Sequence, residues 1–114
     1  MEPHMDIQIT TRTCGQGKVL VSIVGELDVS TTPKMKAALA ELTEGGCERI
    51  LVDMSGVPFM DSTALGALVG ALKRLRERGG ELELAALQPG VRRVFDITRL
   101  ESVFRIHESV EQAA

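Results

Sequence analysis

The sequence predicts an α/β domain built on a mostly parallel sheet with one antiparallel edge strand, and with helices mainly on one face. Three observations predict it. β-branched segments alternate with segments of helical periodicity along nearly the whole chain. The first two strand-like segments are joined by only "CGQG", which is too short for a parallel crossover. A later strand, "ELELAAL", carries Glu81 and Glu83 alternating with Leu82 and Leu84, so one face of the sheet there is polar.

The elements follow in order. "DIQITTRT", 6–13, sets Ile7 and Ile9 on one face as an edge strand, and "KVLVSIVG", 18–25, pairs back on it. Thr32 and Pro33 open a helix as cap and first residue. Met35, Ala38, Leu39 and Leu42 form its apolar stripe, and Gly45 and Gly46 end it. "RILVDM" is the third strand, 49–54. A second helix covers about 62–78 with Leu65, Leu68, Val69, Leu72 and Leu75 inward, and Gly79 and Gly80 stop it. The fourth strand is 81–87. A third helix begins near Pro89, a short strand spans 103–106, and "ESVEQAA" is a weak terminal helix. Helical links between strands imply parallel pairing through right-handed crossovers.

With 114 residues, 44% of them hydrophobic, the chain suits one domain, placed at 6–114. Residues 1–5 are expected to be a disordered or expression-derived start. The only aromatics are Phe59, Phe95 and Phe104, so the core is expected to be aliphatic. A net charge of −3, with no basic stretch interleaved with aromatics, does not suit a nucleic-acid binder. The basic run "KRLRER" sits at a helix end, where cations complement the dipole. The longest weakly polar run, "ALGALVGAL", is far short of the roughly 20 residues a membrane span needs. With no charged leader before an apolar stretch, the expected location is cytoplasmic. Cys14 and Cys47 lack metal-ligand spacing and read as free thiols at the rim opposite the functional one.

Parallel strands share a carboxyl end, where ligands and partners of such sheets meet. That rim gathers Glu26, Asp28, the loop from Asp53 to Asp61, Ser62 and 88–90. Ser62 has no expected activating partner. The histidines are His4 and His107, neither placed on the rim, and a nucleophilic serine needs a base in reach. The glycine spacing fits neither a nucleophile elbow nor a phosphate loop, so Gly66 and Gly70 read as close packing of helix on sheet. Asp53 at a strand end is where a receiver domain keeps its phosphoacceptor. The acidic pair and the lysine that such a domain also needs are missing. Two readings of Ser62 stay open. Ser62 or Asp61 caps the helix, worth about 1 kcal/mol. Alternatively, Ser62 accepts a phosphoryl group that the helix N-terminus shelters and the acidic rim turns against a partner.

"LVDMSGV" followed by "FMDSTALGALVG", with "GELDVSTTPKMKAAL" upstream and "VFDITRLESVFRIHESVEQA" at the end, resembles the STAS-domain anti-sigma factor antagonists over about residues 6–112. The resemblance implies a right-handed β-α superhelix and a non-enzymatic cytoplasmic regulator that needs no cofactor or metal of its own. Its partner would be an anti-sigma factor with an ATP-bound serine-kinase fold. Binding would free a sigma factor, phosphorylation of Ser62 would end the interaction, and a metal-dependent phosphatase would reset it. Glu26, Asp28, Met60, Asp61, Ser62, Thr63 and Gly66 are then the expected partner-binding residues. Ala64 stands where many members have glycine. The alternative is a non-switched STAS subunit of a larger signalling or lipid-transport assembly.

Overall fold

A computed structural model describes residues 6–113, so the expectation for 1–5 lies outside the described residues. β1 (Gln8–Thr13) and β2 (Lys18–Val24) form the antiparallel hairpin. β3 (Arg49–Gly56), β4 (Glu81–Ala85) and β5 (Arg105–His107) add in parallel, giving the sheet order β1-β2-β3-β4-β5. Spatial order equals chain order. Each right-handed crossover therefore advances the same way, and the crossover helices all land on one face. These are α1 (Thr32–Glu44), α2 (Ser62–Glu77) and α3 (Pro89–Thr98).

The core lies between that face and the helices. Val21, Ile23, Ile50, Val52, Met54, Leu82 and Leu84 from the sheet meet Met35 and Leu39 of α1 and Leu65, Leu68, Leu72 and Leu75 of α2. It is aliphatic, as the composition predicts. The exception is Phe95 of α3, which meets Phe104 edge to face with ring centroids 5.6 Å apart.

The other face is less open than the Glu81/Glu83 alternation suggests. A four-residue helix α4 (Val110–Ala113) packs there over Leu20, Leu51 and Ala85. Glu83 points to this face and is only 4% exposed. Its carboxylate accepts from Arg49 Nη2 at 2.8 Å and faces His107 Nε2 at 2.8 Å. Burial alone pushes the Glu83 carboxyl up. The hydrogen bonds and positive charge of His107 and Arg49 outweigh it and hold the group below the usual carboxylate range. Glu81 is half-buried and pairs with Arg76 of α2 at 3.0 Å.

The start of α1 differs by one residue from the sequence reading. Thr31, not Thr32, is the cap residue, and its hydroxyl donates to the Glu26 carbonyl at 2.7 Å rather than bonding into the helix. Thr32 is inside the first turn and buried.

Candidate functional site

The site is the carboxyl rim where the segments after β2 and β3 run side by side. Gly25, at φ +125°, turns the chain out of β2, and its N–H donates to the Gly56 carbonyl at 2.9 Å. A side chain on Gly56 would collide with the Ile23 carbonyl, so this close approach requires glycine. Beyond it the strands resume as a single parallel bridge, Leu27 with Met60. Leu27 N–H donates to the Phe59 carbonyl at 3.0 Å, and Asp61 N–H to the Leu27 carbonyl at 3.1 Å.

Period-two alternation fixes what each residue of this bridge does. Leu27 and Met60 point inward, 0% and 2% exposed. Glu26 and Phe59 are therefore exposed, and Asp28 and Asp61 half-buried at the surface. Met60 is thus a correction: its side chain belongs to the core and offers no side-chain contact to a partner. The residue that sequence reading missed is its neighbour Phe59, 48% exposed, together with Val29 at 70%. Both are large apolar side chains held in water beside the acids.

Asp61 leaves the bridge in extended conformation and caps α2, its Oδ1 accepting from Ala64 N–H at 3.1 Å. Ser62 is the first helical residue. It is exposed, and its hydroxyl has no hydrogen-bond partner among the described residues. The first-turn N–H groups and the positive end of the helix dipole surround it. Thr63 is exposed beside it. Capping is thus done by Asp61, which leaves the Ser62 hydroxyl unused among the described residues.

Two other carboxylates of the rim, Asp28 and Asp53, are locally tied. Asp28 Oδ1 accepts from the Ser30 hydroxyl at 2.7 Å and from the Ser30 and Thr31 N–H groups. The Ser30 hydroxyl first, and those N–H groups with it, hold the Asp28 carboxyl below the usual range. Asp53 Oδ1 accepts from Ser55 N–H at 3.0 Å. Gln88, before α3, donates to the Ser55 carbonyl at 2.8 Å and pins the loop.

Elsewhere, His107 closes β5 at this same end of the sheet. It lies two strands from β3 and on the opposite face, engaged with Glu83. Among the described residues no three His, Cys, Asp or Glu side chains are grouped to hold a metal ion. Cys14 is exposed and Cys47 half-buried, both as free thiols. Burial pushes the Cys47 thiol up. Gly66 and Gly70 do not pack on the sheet: a side-chain carbon at either would meet nothing within 4 Å. They line a groove between α1 and α2 instead. No described helix is long and apolar enough to cross a membrane.

The chain as a whole is similar to known proteins. The STAS domain model matches residues 4–113. The anti-sigma-B factor antagonist of Staphylococcus aureus (strain NCTC 8325 / PS 47) is 36% identical over 108 residues, covering 94% of this chain and 98% of its own. The crystal structure of an anti-sigma factor antagonist from Mycobacterium paratuberculosis superposes with TM-score 0.84 at 25% identity, over 94% of this chain and 90% of that one. SpoIIAA in its unphosphorylated form shares the fold at TM-score 0.80 and 23% identity, over 93% of this chain and 92% of that one. The chain belongs to the STAS domain family.

Proposed function

We propose that this protein is an anti-sigma factor antagonist whose docking rim is switched by phosphorylation of Ser62. The observation that carries the reading is the free Ser62 hydroxyl at the start of α2. It is set beside exposed Phe59 and Val29 and the carboxylates of Glu26, Asp28 and Asp61. The 36% identity to an anti-sigma-B factor antagonist supports it.

The unmodified rim offers apolar anchors ringed by acids, which suits a partner surface with an apolar pocket and a basic edge. The partner is an anti-sigma factor that also acts as a serine kinase with ATP and magnesium bound. In the transfer, Ser62 Oγ forms the new bond to the γ-phosphorus. The bond from that phosphorus to the ADP oxygen breaks, and the hydroxyl proton leaves to a base of the kinase or to water. This chain contributes the nucleophilic oxygen and the surface that positions it. A metal-dependent phosphatase returns the serine. The added charge of about −1.5 to −2 lands on an already acidic rim and turns the contact off.

Phe59→Ala tests the apolar anchor. Half-exposed aromatics in water are typical hot spots, so binding to the anti-sigma factor is expected to weaken by about 2 kcal/mol, roughly 30-fold. The melting temperature should stay close to that of the parent. Calorimetric titration checks it, and unchanged affinity would remove Phe59 from the interface.

A further inference from the structure

Helices α1 and α2 lie side by side and leave between them a groove of about 320 Å³ that begins at Thr63, next to Ser62. Its floor is centred on Gly66 and Gly70, one turn apart on α2. Neither has positive φ, and neither would bring a side-chain carbon within 4 Å of anything. Glycine inside a helix is less stable than alanine, and no described residue uses the space gained. The two glycines thus leave α2 open to the close approach of a body from outside.

Two further observations bear on that body. The Thr32 side chain lines the same groove, is 1% exposed, and carries the one buried side-chain polar atom left without a hydrogen-bond partner among the described residues. Lys36 and Arg74 line the groove from opposite helices, both exposed. Neither has a hydrogen bond or ion pair among the described residues, unlike Lys34, Arg49 and Arg76, each of which holds a carboxylate. None of the residues lining the groove is acidic. The rim is thus negative and the groove leading from it positive.

We propose that this groove receives a helix of the anti-sigma factor, with small or apolar residues along its centre and carboxylates at its edges. The proposal rests on the functional reading above and extends the contact along α2. The glycine floor lets the incoming helix sit close, and Lys36 and Arg74 meet its acids, the helix-in-groove mode of recognition. The two charge zones fix the direction in which the partner lies: basic edge on the rim, acidic helix in the groove.

The test is a titration of purified serine-kinase anti-sigma factor from the same organism, loaded with a non-hydrolysable ATP analogue so that Ser62 stays unmodified. The double variant Lys36→Glu with Arg74→Glu is expected to bind about tenfold more weakly, with a shallower dependence on salt. Gly70→Gln, which fills the groove with a good helix former, should weaken binding similarly. Its melting temperature should be no lower than the parent's, and Gly70→Ala should raise it by about 4 °C. If the double variant and Gly70→Gln bind within twofold of the parent while Phe59→Ala binds poorly, the groove proposal is overturned and the rim stands. If the parent protein binds no anti-sigma factor, both fall.

Discussion

Phosphoserine at position 62, or Ser62→Glu, is expected to weaken binding to the anti-sigma factor at least about 100-fold, a change of roughly 3 kcal/mol. Ser62→Ala should bind as tightly as the unmodified protein. The asymmetry follows from where the hydroxyl stands. It makes no hydrogen bond among the described residues, so its removal leaves no orphaned donor or acceptor there. An added anion, by contrast, sits at the first residue of α2, where free N–H groups and the helix dipole stabilise it by about 0.3–1 kcal/mol. The fold therefore accepts the modification, and the melting temperature of Ser62→Glu should match or exceed the parent's. What changes is the surface. A doubly charged, hydrated group next to Asp61 and between Phe59 and Thr63 must be stripped of water for the partner to close on the rim. The basic edge of the partner is already matched by the carboxylates of Glu26, Asp28 and Asp61, so no unpaired cation is left to offset that desolvation or the bulk of the added group. Equal affinities for the alanine, glutamate and phosphorylated forms would dissolve the switch.

The second large effect concerns stability. Glu83→Ala is expected to destabilise the protein by about 3 kcal/mol, because it strands Arg49 and His107 beside a buried vacancy. The loss in melting temperature should be roughly 10 °C. Arg49 is 45% exposed on its side chain, which lets water solvate it and keeps the loss at the low end for a broken ion pair. The pH dependence has a definite sign. The folded-state carboxyl is held below the ordinary glutamate value of 4.5, so the folded protein takes up the Glu83 proton less readily than the unfolded chain. The stabilisation is fully present above that ordinary value and is lost as pH falls through the lower folded-state one. Glu83→Gln should flatten this part of the acid limb in thermal melts between neutral pH and pH 3. A parent curve that is already flat there would contradict the role given to Glu83.

Much of this architecture is legible in local pattern. Helices α1 and α2 follow from apolar stripes of period 3.6, and the short "CGQG" link compels the antiparallel edge. The Glu81/Glu83 alternation points to helices mainly on one face, and the strand order β1-β2-β3-β4-β5 with right-handed crossovers puts α1, α2 and α3 there. What stays hidden depends on pairings between distant segments. Whether Met60 or Phe59 faces out is decided by the bridge to Leu27, which no pattern in "VPFMD" reveals. A slip of one residue would have exchanged them. Glu83 reads as a solvent-facing residue of an alternating strand. It is buried because Arg49 on β3 and His107 on β5 arrive from 34 and 24 residues away and α4 packs on the same face. The cap of α1 shifts from Thr32 to Thr31 because Thr31 bonds back to Glu26 and receives the Asp28 N–H, a loop contact with no helical periodicity. Gly66 and Gly70 look like packing residues in sequence. Only the placement of α1 beside α2 leaves them facing open space.

Ser62 as the acceptor is tested by incubating the protein with its anti-sigma factor, ATP and magnesium, and locating added phosphate by peptide mass spectrometry. A single phosphoryl group on Ser62, absent from Ser62→Ala, is the predicted result. Phosphate on Thr63 or any other residue, or an unmodified Ser62 in a protein that demonstrably binds the active kinase, would contradict it.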